Sequence, residues 1–233
     1  MNVIQGNGFV ADIIRSPKRK TAAIKIQKGR VVVMVPDFLK LPAIESIVSS
    51  KTRWIQEKLA IQNEMIAIPV KQFIAGEHFS CLGTDYTLKL ISGAYPALSV
   101  LQTELEVTMP DNIVNKAIVI KQLLTQWYKR GAESELKRKT EAYARIIGVT
   151  PKDITIKTFK ARWGSCSSSG SLYYNWKIMM APESVVDYVV IHELCHLLHH
   201  NHAPAYWQTV AKYCPDYRAC HAWLKANGGR LEL

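Results

Sequence analysis

A pentapeptide near the carboxyl-terminal end of the chain carries two histidines and a glutamate at a spacing that suits metal chemistry. It reads His192-Glu193-Leu194-Cys195-His196. On a helix, residues four positions apart share a face and are separated by about 6 Å, so both imidazoles can contact one ion. Glu193 can then reach a water molecule beside that ion. The pattern predicts one zinc ion per chain, with His192 and His196 as ligands and Glu193 as general base.

A catalytic zinc usually has three protein ligands, so the pattern requires a third donor. His199 shares the expected helix face but lies about 10 Å along the axis from His192, and His200 points about 80° away from it. His202 follows the expected helix end near Asn201, where the chain can turn back. Asparagine tolerates the left-handed conformation that such a turn can need. Geometry favours His202 and leaves a distant Glu or Asp as the alternative.

Negative charge that develops on a substrate oxygen needs a cationic or hydrogen-bond-donating neighbour. The candidates for this contact, or for holding the substrate, are Arg162, Tyr173, Tyr174, Asn175, Tyr206 and His221. Each also has a structural interpretation: the arginine could pair with a carboxylate, and the tyrosines could be core residues with bonded hydroxyls. Cys166 and Cys195 could act as soft ligands, but we favour the interpretation that both are small buried hydrophobic residues.

The elements that must position these residues can be predicted from the apolar periodicity and the turn residues of the second half of the chain. Pro182 is expected to open the helix that carries the pentapeptide, and that helix should run to about Asn201. The other predicted elements are a long helix over 113–147, interrupted near Gly131 and stopped by Gly148, strands over 153–159 and 171–179, and a helix from Pro204 to about Tyr213.

The sequence pattern of the first half of the chain predicts a separate small unit. Residues 22–35 suggest a hairpin that turns at Lys28-Gly29, and a helical pattern follows from Pro42 to about Met65. Strand-like alternation returns over 73–91 and 97–110. We therefore predict an α+β protein with an N-terminal antiparallel-sheet-plus-helix domain (1–112) and a second domain (113–233) of a long helix, a small antiparallel sheet and the histidine-bearing helix.

The composition excludes some classes of protein but does not identify the function. The 233 residues are 48% hydrophobic and 21% charged, and no apolar run approaches the roughly 18 residues of a membrane span. The beginning of the sequence lacks the features of a secretory signal, and five cysteines form no dense framework, so we expect reduced thiols and a cytoplasmic location. The net charge of +11 is most simply a set of solvated faces. It leaves nucleic acid as an alternative partner, although no base-reading motif accompanies it.

Two longer segments resemble the YgjP-type metallopeptidases, bacterial relatives of the SprT-like and Wss-type zincin proteases. They are RWGSCSSSGSLYYNWKIMMAP and VVIHELCHLLHHNHAPAYW. The family's pattern is matched by 162–167 (R-W-G-S-C-S), 175–176 (N-W), the three histidines with Glu193, and Tyr206-Trp207. The resemblance is strongest over about 150–215. Ala203-Pro204 departs from it, because family members often have a hydroxyl residue there.

The resemblance implies a minimal zincin-like fold, His202 as the third zinc ligand and a peptide or protein substrate. Zincin proteases commonly bind an extended peptide along an exposed strand, and the predicted strand 171–178 is the candidate edge, with a paired core strand as the alternative. Other interpretations of the chain are a nucleic-acid-associated protein with a structural zinc, a protease acting on DNA-bound proteins, and an enzyme that hydrolyses a non-peptide amide.

Overall fold

The computed structural model describes residues 3–27, 29–66 and 71–233. The chain divides into two compact units, Met1–Pro69 and Val70–Leu233. Both combine helices with small sheets, so the predicted α+β class is confirmed. The predicted boundary after residue 112 remains a prediction. Among the described residues, no helix has the length and apolar character needed to cross a membrane.

The first unit is a four-stranded sheet with two helices. Its elements are β1 (Val3–Gly6), β2 (Phe9–Ser16), β3 (Ala23–Gln27), β4 (Arg30–Pro36), α1 (Leu41–Ser50) and α2 (Thr52–Ile66), with strand order β1-β2-β4-β3. The predicted hairpin is the antiparallel β3–β4 pair, and its turn at Lys28 lies outside the described residues. The single helix predicted over 42–65 is two helices, because the chain leaves helical geometry at Lys51.

The second unit begins with another four-stranded sheet, which packs against a long helix. The strands are β5 (His78–Cys81), β6 (Thr84–Ser92), β7 (Ala97–Leu101) and β8 (Glu104–Met109), in the order β5-β6-β8-β7. Their inward residues share one hydrophobic cluster with Ile120 and Leu124 of α3 (Lys116–Ile147). The strands and this helix therefore bury a common core.

The long helix α3 is continuous past Gly131, so the interruption predicted there is wrong. A methyl group added at Gly131 would make only an ordinary contact with Met179, so the glycine serves no bend or tight packing. The predicted stop at Gly148 is confirmed. Gly148 has a φ of 83°, and its N–H donates to the carbonyl of Ala144, which is the geometry that favours glycine at a helix end.

The remaining elements surround the pentapeptide. They are β9 (Asp153–Lys157), β10 (Gly164–Cys166), β11 (Ser171–Asn175), a short 3-10 helix (Trp176–Met180), α4 (Glu183–Cys195), α5 (Pro204–Tyr213), α6 (Tyr217–Asn227) and a final 3-10 turn (Gly228–Arg230). Most residues of α4 are buried in the largest hydrophobic cluster of the described residues. The strand predicted over 171–179 ends at Asn175, where the chain tightens into the 3-10 helix.

Strand pairing differs from the purely antiparallel sheets that were predicted. Within the described residues, each of the three sheets contains one parallel pair: β2 with β4, β6 with β8, and β9 with β11. In the third sheet the order is β10-β11-β9, so β11 is the central strand. The interpretation of 171–178 as an exposed edge is therefore wrong, because β10 and β9 occupy both of its sides. The free edge next to α4 belongs to β10.

Candidate metal centre and catalytic cleft

Three histidines converge at the end of α4. One nitrogen from each of His192, His196 and His202 can be chosen so that all three lie within 4.8 Å of one another. The Nε2 atoms of His192 and His202 are 3.4 Å apart. Three imidazoles with an open side match the ligand set of a catalytic zinc, which leaves its fourth position free. The donor set therefore fits zinc.

The histidines come together because α4 ends earlier than predicted. The helix was expected to reach about Asn201 but ends at Cys195, and His196 keeps helical backbone angles as its cap. Helical spacing from His192 is thus preserved, while the chain is free to turn. Asn201 supports that turn through its side chain, whose oxygen accepts from the N–H of Ala203 at 3.1 Å, rather than through the expected left-handed backbone.

Hydrogen bonds to the outer nitrogens orient the rings. His196 Nδ1 lies 3.0 Å from the carbonyl oxygen of His199. A carbonyl can only accept, so Nδ1 carries the proton and Nε2 keeps its lone pair for an ion. His192 Nδ1 lies 3.5 Å from the hydroxyl of Tyr188. The ring of His199 bonds to Thr209 at 2.9 Å, so this residue supports the cluster through its backbone.

Aromatic stacking fixes the rings that the turn leaves exposed. Tyr206 is buried, stacks on His196 with ring centroids 4.6 Å apart, and donates its hydroxyl to the carbonyl of His192 at 3.1 Å. Trp207 stacks on the exposed His202 at 5.5 Å and is itself backed by Tyr217 at 5.3 Å. The first residues of α5 thus set the position of His202, which no helix carries.

Burial sets the protonation of the centre. It lowers the pKa of His192 to about 3, reinforced by three neighbouring imidazoles. Burial also lowers the pKa of His196, against the opposing bond to the His199 carbonyl. Both rings are therefore neutral at physiological pH, the form that binds metal. Burial raises the pKa of Glu193 to about 8, and the positive charge of Arg162 acts in the opposite direction.

Glu193 occupies a slot between α4 and the edge strand β10. Glu193 is only 5% exposed. A methyl group placed on Gly164 of β10 would lie 2.6 Å from the Glu193 Cγ and 2.8 Å from its Cδ. Non-bonded carbon atoms do not approach each other this closely. The Glu193 carboxyl group can therefore occupy this position only because residue 164 is a glycine.

Two cavities meet at the histidines and form one cleft. They measure about 390 and 550 Å³ and share Arg162, Gly164, His192 and Glu193. The first continues towards Trp163, Tyr188, Val189, His221, Leu224 and Lys225. The second continues along 165–168 towards His196, His200 and His202. A chain laid across the cleft would therefore pass the carboxylate and the three imidazoles together.

The family of the chain follows from a comparison with protein-family models. A model described as "YgjP-like, metallopeptidase domain" matches residues 20–227, nearly the whole sequence. The chain belongs to the YgjP-like metallopeptidase family. It is therefore an enzyme of the hydrolase class, and the family resemblance noted in the sequence is confirmed.

Curated proteins and solved structures add little to the family assignment of this YgjP-like chain. No curated protein matches it. Among solved structures, the crystal structure of the metallopeptidase zymogen of Pyrococcus abyssi abylysin is similar over part of the chain, with 20% identity and a TM-score of 0.34. The alignment covers 39% of this chain and 93% of that one.

Of the six candidate contact residues in this YgjP-like chain, two line the cleft and four lie elsewhere. Arg162 and His221 both line the first cavity. Tyr173 lies beneath the ammonium of Lys157, Tyr174 is fully buried and bonds to Thr140, and Tyr206 is engaged with the histidines. Successive residues of β11 face opposite sides of the sheet, so Tyr174 is buried in the core while Tyr173 is half-buried on the other face.

Asn175 has a different role from the predicted one. Its amide nitrogen donates to the carbonyls of Phe159 and Arg162, at 3.1 and 3.2 Å, and its backbone N–H donates to the carbonyl of Trp163 at 2.8 Å. It therefore holds the loop that carries Arg162 and Trp163. Sequence reasoning missed Tyr188, which lies one helical turn before His192, and Lys225, which no local pattern marks.

Proposed function

We propose that this metallopeptidase binds one zinc ion per chain through His192, His196 and His202 and hydrolyses peptide bonds with Glu193 as general base and acid. The observation that supports the proposal is the convergence of three imidazoles beside the buried carboxyl group of Glu193 in an accessible cleft. When bound, zinc supplies Lewis-acid activation of a water molecule and of the substrate carbonyl.

Glu193 is the group that moves the proton. The water oxygen forms a bond to the carbonyl carbon while Glu193 takes one water proton. The carbon–nitrogen bond then breaks, and Glu193 gives that proton to the departing nitrogen. The remaining water proton stays on the new carboxylic acid, which ionises to solvent. The slot at Gly164 supports this role, because it keeps the carboxylate next to the histidines.

We propose Arg162 and His221 as the residues that stabilise negative charge on the substrate oxygen. Both line the cavity that also contains Glu193 and His192, and both can donate hydrogen bonds. Tyr174, Tyr206 and Asn175 are not proposed for this role, because their polar atoms bond to other groups of the protein. Tyr173 is not proposed because it lines neither cavity.

We propose β10 as the strand along which the peptide lies. It is the edge strand of its sheet, and it contributes Gly164, Ser165 and Cys166 to the walls of the cleft. Unpaired backbone groups of an edge strand can bind an extended peptide regardless of its side chains. The expected edge strand thus moves from β11 to its neighbour.

The test combines metal analysis with cleavage profiling. Wild-type protein should contain one zinc per chain and cleave peptides from a proteome digest. Glu193→Gln should keep the zinc and lose about 10²- to 10⁴-fold in rate. His202→Ala should lose zinc affinity. The matched change His200→Ala, outside the cluster of His192, His196 and His202, should retain it. Full activity of a zinc-replete Glu193→Gln protein would remove the catalytic assignment.

The nucleic-acid interpretation stays an alternative that rests on the net charge of +11. Salt-sensitive binding of DNA together with zinc and without Glu193-dependent cleavage would support it. Cleavage only of DNA-bound proteins would support the combined function. We also propose a reducing, cytoplasmic setting, supported by five cysteines that are all free thiols.

A further inference from the structure

The cavity next to Glu193 extends well beyond the atoms needed for hydrolysis. We call it the Trp163 cavity; its distinctive lining residues are Trp163, Tyr188, Val189, His221, Leu224 and Lys225. Its volume is about 390 Å³, within the roughly 300–1,000 Å³ of pockets that hold small molecules. It is therefore large enough to take a substrate side chain.

The apolar wall of the Trp163 cavity is rigidly built. Gly228 packs flat against the indole, since a methyl group added there would lie 3.0 Å from the Trp163 Cζ2. The Trp163 backbone is held from the other side by the bond from Asn175 at 2.8 Å. Leu224 of α6 and Val189 of α4 complete the wall. The cavity thus has an apolar surface that packing and a hydrogen bond hold in place.

Among the charged side chains that line the Trp163 cavity, the two cations Arg162 and Lys225 outnumber the acidic Glu193. Arg162 and Lys225 are exposed, and within the described ranges neither forms an ion pair with a carboxylate. Of the described residues, Glu193 is the one acidic residue in the lining, and it is buried and assigned to catalysis. Behind Trp163, a neighbouring cavity of about 230 Å³ shares Arg162 and adds Lys160 and Lys177. Of these, Lys177 is neutralised by Glu232.

We propose that the Trp163 cavity binds a substrate residue that carries a carboxylate. The stem of that residue would pack along Trp163 and Leu224, and its carboxylate would face Lys225, while Arg162 stays with the substrate oxygen. This inference rests on the proposed peptidase function, because the cavity shares His192 and Glu193 with the reaction site. Its occupant must therefore be next to the bond that is cleaved.

A carboxylate can come from a Glu or Asp side chain or from the free end of a peptide. Three degenerate nonapeptide libraries separate these sources: a central Glu with an amidated end, a central Gln with an amidated end, and the central-Gln library with a free carboxyl end. Glutamine has the same shape as glutamate without its charge. Cleavage positions and rates are read by mass spectrometry.

We expect cleavage next to the carboxylate-bearing residue to be about three- to fivefold faster than next to its neutral counterpart, the upper range for an ion pair at an exposed cavity mouth. Lys225→Glu should lower that ratio to one or below. Lys212→Glu makes the same charge change on the exposed surface of α5, outside the cavity, and should leave the ratio unaltered. A wild-type ratio of one, or equal effects of the two variants, overturns the inference.

Binding separates failure of this inference from failure of the proposed function. The same libraries are bound to zinc-loaded Glu193→Gln protein, which cannot turn them over under the proposed mechanism. If no library is cleaved by wild type but the carboxylate library binds better in a Lys225-dependent way, the inference stands and the peptidase proposal falls. If cleavage depends on Glu193 and neither binding nor rate distinguishes Glu from Gln, only the inference falls.

Discussion

At the scale of single residues, the centre depends on side chains that lie outside the pentapeptide itself. The pentapeptide predicts Glu193, but its position depends on the missing side chain of Gly164 in a different element. His202 is exposed, yet a stack of Trp207 and Tyr217 holds its ring. Residues that contact the ligands from outside therefore determine whether the predicted groups meet.

Gly164→Ala tests the slot around Glu193. The added methyl group displaces the carboxylate, and a displacement of about 1 Å can cost on the order of a hundredfold in rate. We expect kcat/KM to fall by about that factor while the zinc content stays at one per chain. Gly131→Ala is the matched control: it lies inside a helix with room for a methyl group, so activity should be unchanged and stability should rise by about 0.5–1 kcal/mol.

Trp207→Ala tests the stack on His202. Without the indole, the ring of this exposed ligand is free to rotate, and we expect zinc affinity to fall about 10- to 100-fold, as for other groups that orient ligands. Chelator competition measures this change. Trp54→Ala, at a half-exposed position in the first unit, should leave zinc affinity as it is. An unchanged affinity in Trp207→Ala would contradict the stacking argument.

At the scale of elements, the sequence predicts helices well where the determinants are local. Gly148 ends α3 as expected, and Pro204 opens α5. Two of the predictions that failed concern features that no local periodicity marks. The end of α4 is set by the turn that brings His202 back onto the helix, and the central position of β11 is set by its parallel pairing with β9. Neither the turn nor the strand pairing leaves a periodic pattern in the sequence.

The placement of α4 against α3 depends on a buried lysine. The ammonium of Lys139 is 2.7 Å from Glu183 and 2.8 Å from Asp187, both in the first turns of α4, and its side chain is only 6% exposed. Burial lowers the pKa of Lys139, but the hydrogen bonds to the two carboxylates outweigh burial and raise it overall. Such a contribution is fully present below the pKa of an unfolded lysine, about 10.4, and is lost only above it.

Lys139→Met tests this anchor while keeping an apolar stem of similar length. We expect the free energy of unfolding to fall by about 1.5–3 kcal/mol, the range for hydrogen bonds to charged groups. The difference from wild type should be constant between pH 7 and 9, measured by urea denaturation. Lys137→Met, exposed on the same helix, should change stability by less than about 0.5 kcal/mol. Equal effects of both variants would argue against the anchor.

At the scale of the whole molecule, two ways of dividing the chain make different predictions. The change in sequence pattern places a boundary after residue 112, whereas spatial contacts divide the chain at Pro69. The side chains of Ile120 and Leu124, fully buried in the cluster they share with β5–β8, would become exposed in a fragment that begins at residue 113. The composition of the strands gives no hint of this shared core.

Fragments 70–233 and 113–233 test the boundary. We expect the longer fragment to unfold cooperatively on heating and to bind zinc, and the shorter one to aggregate or melt without a cooperative transition, because burial of two large apolar side chains is lost at about 1.5–3 kcal/mol each. Calorimetry and zinc titration provide the measurements. A stable, zinc-binding 113–233 fragment would instead favour the boundary after residue 112.

The bond from His196 to the backbone of His199 determines how this chain would tolerate sequence change. Every amino acid offers the same carbonyl oxygen, so a saturation-mutagenesis map would report residue 199 as permissive, with losses confined to its contact with Thr209. Inserting or deleting one residue between His196 and His199 would move that carbonyl out of register, and a change of length between His199 and His202 would displace the third ligand. At residue 199, the length of the segment rather than the identity of the side chain is therefore the property that selection would preserve.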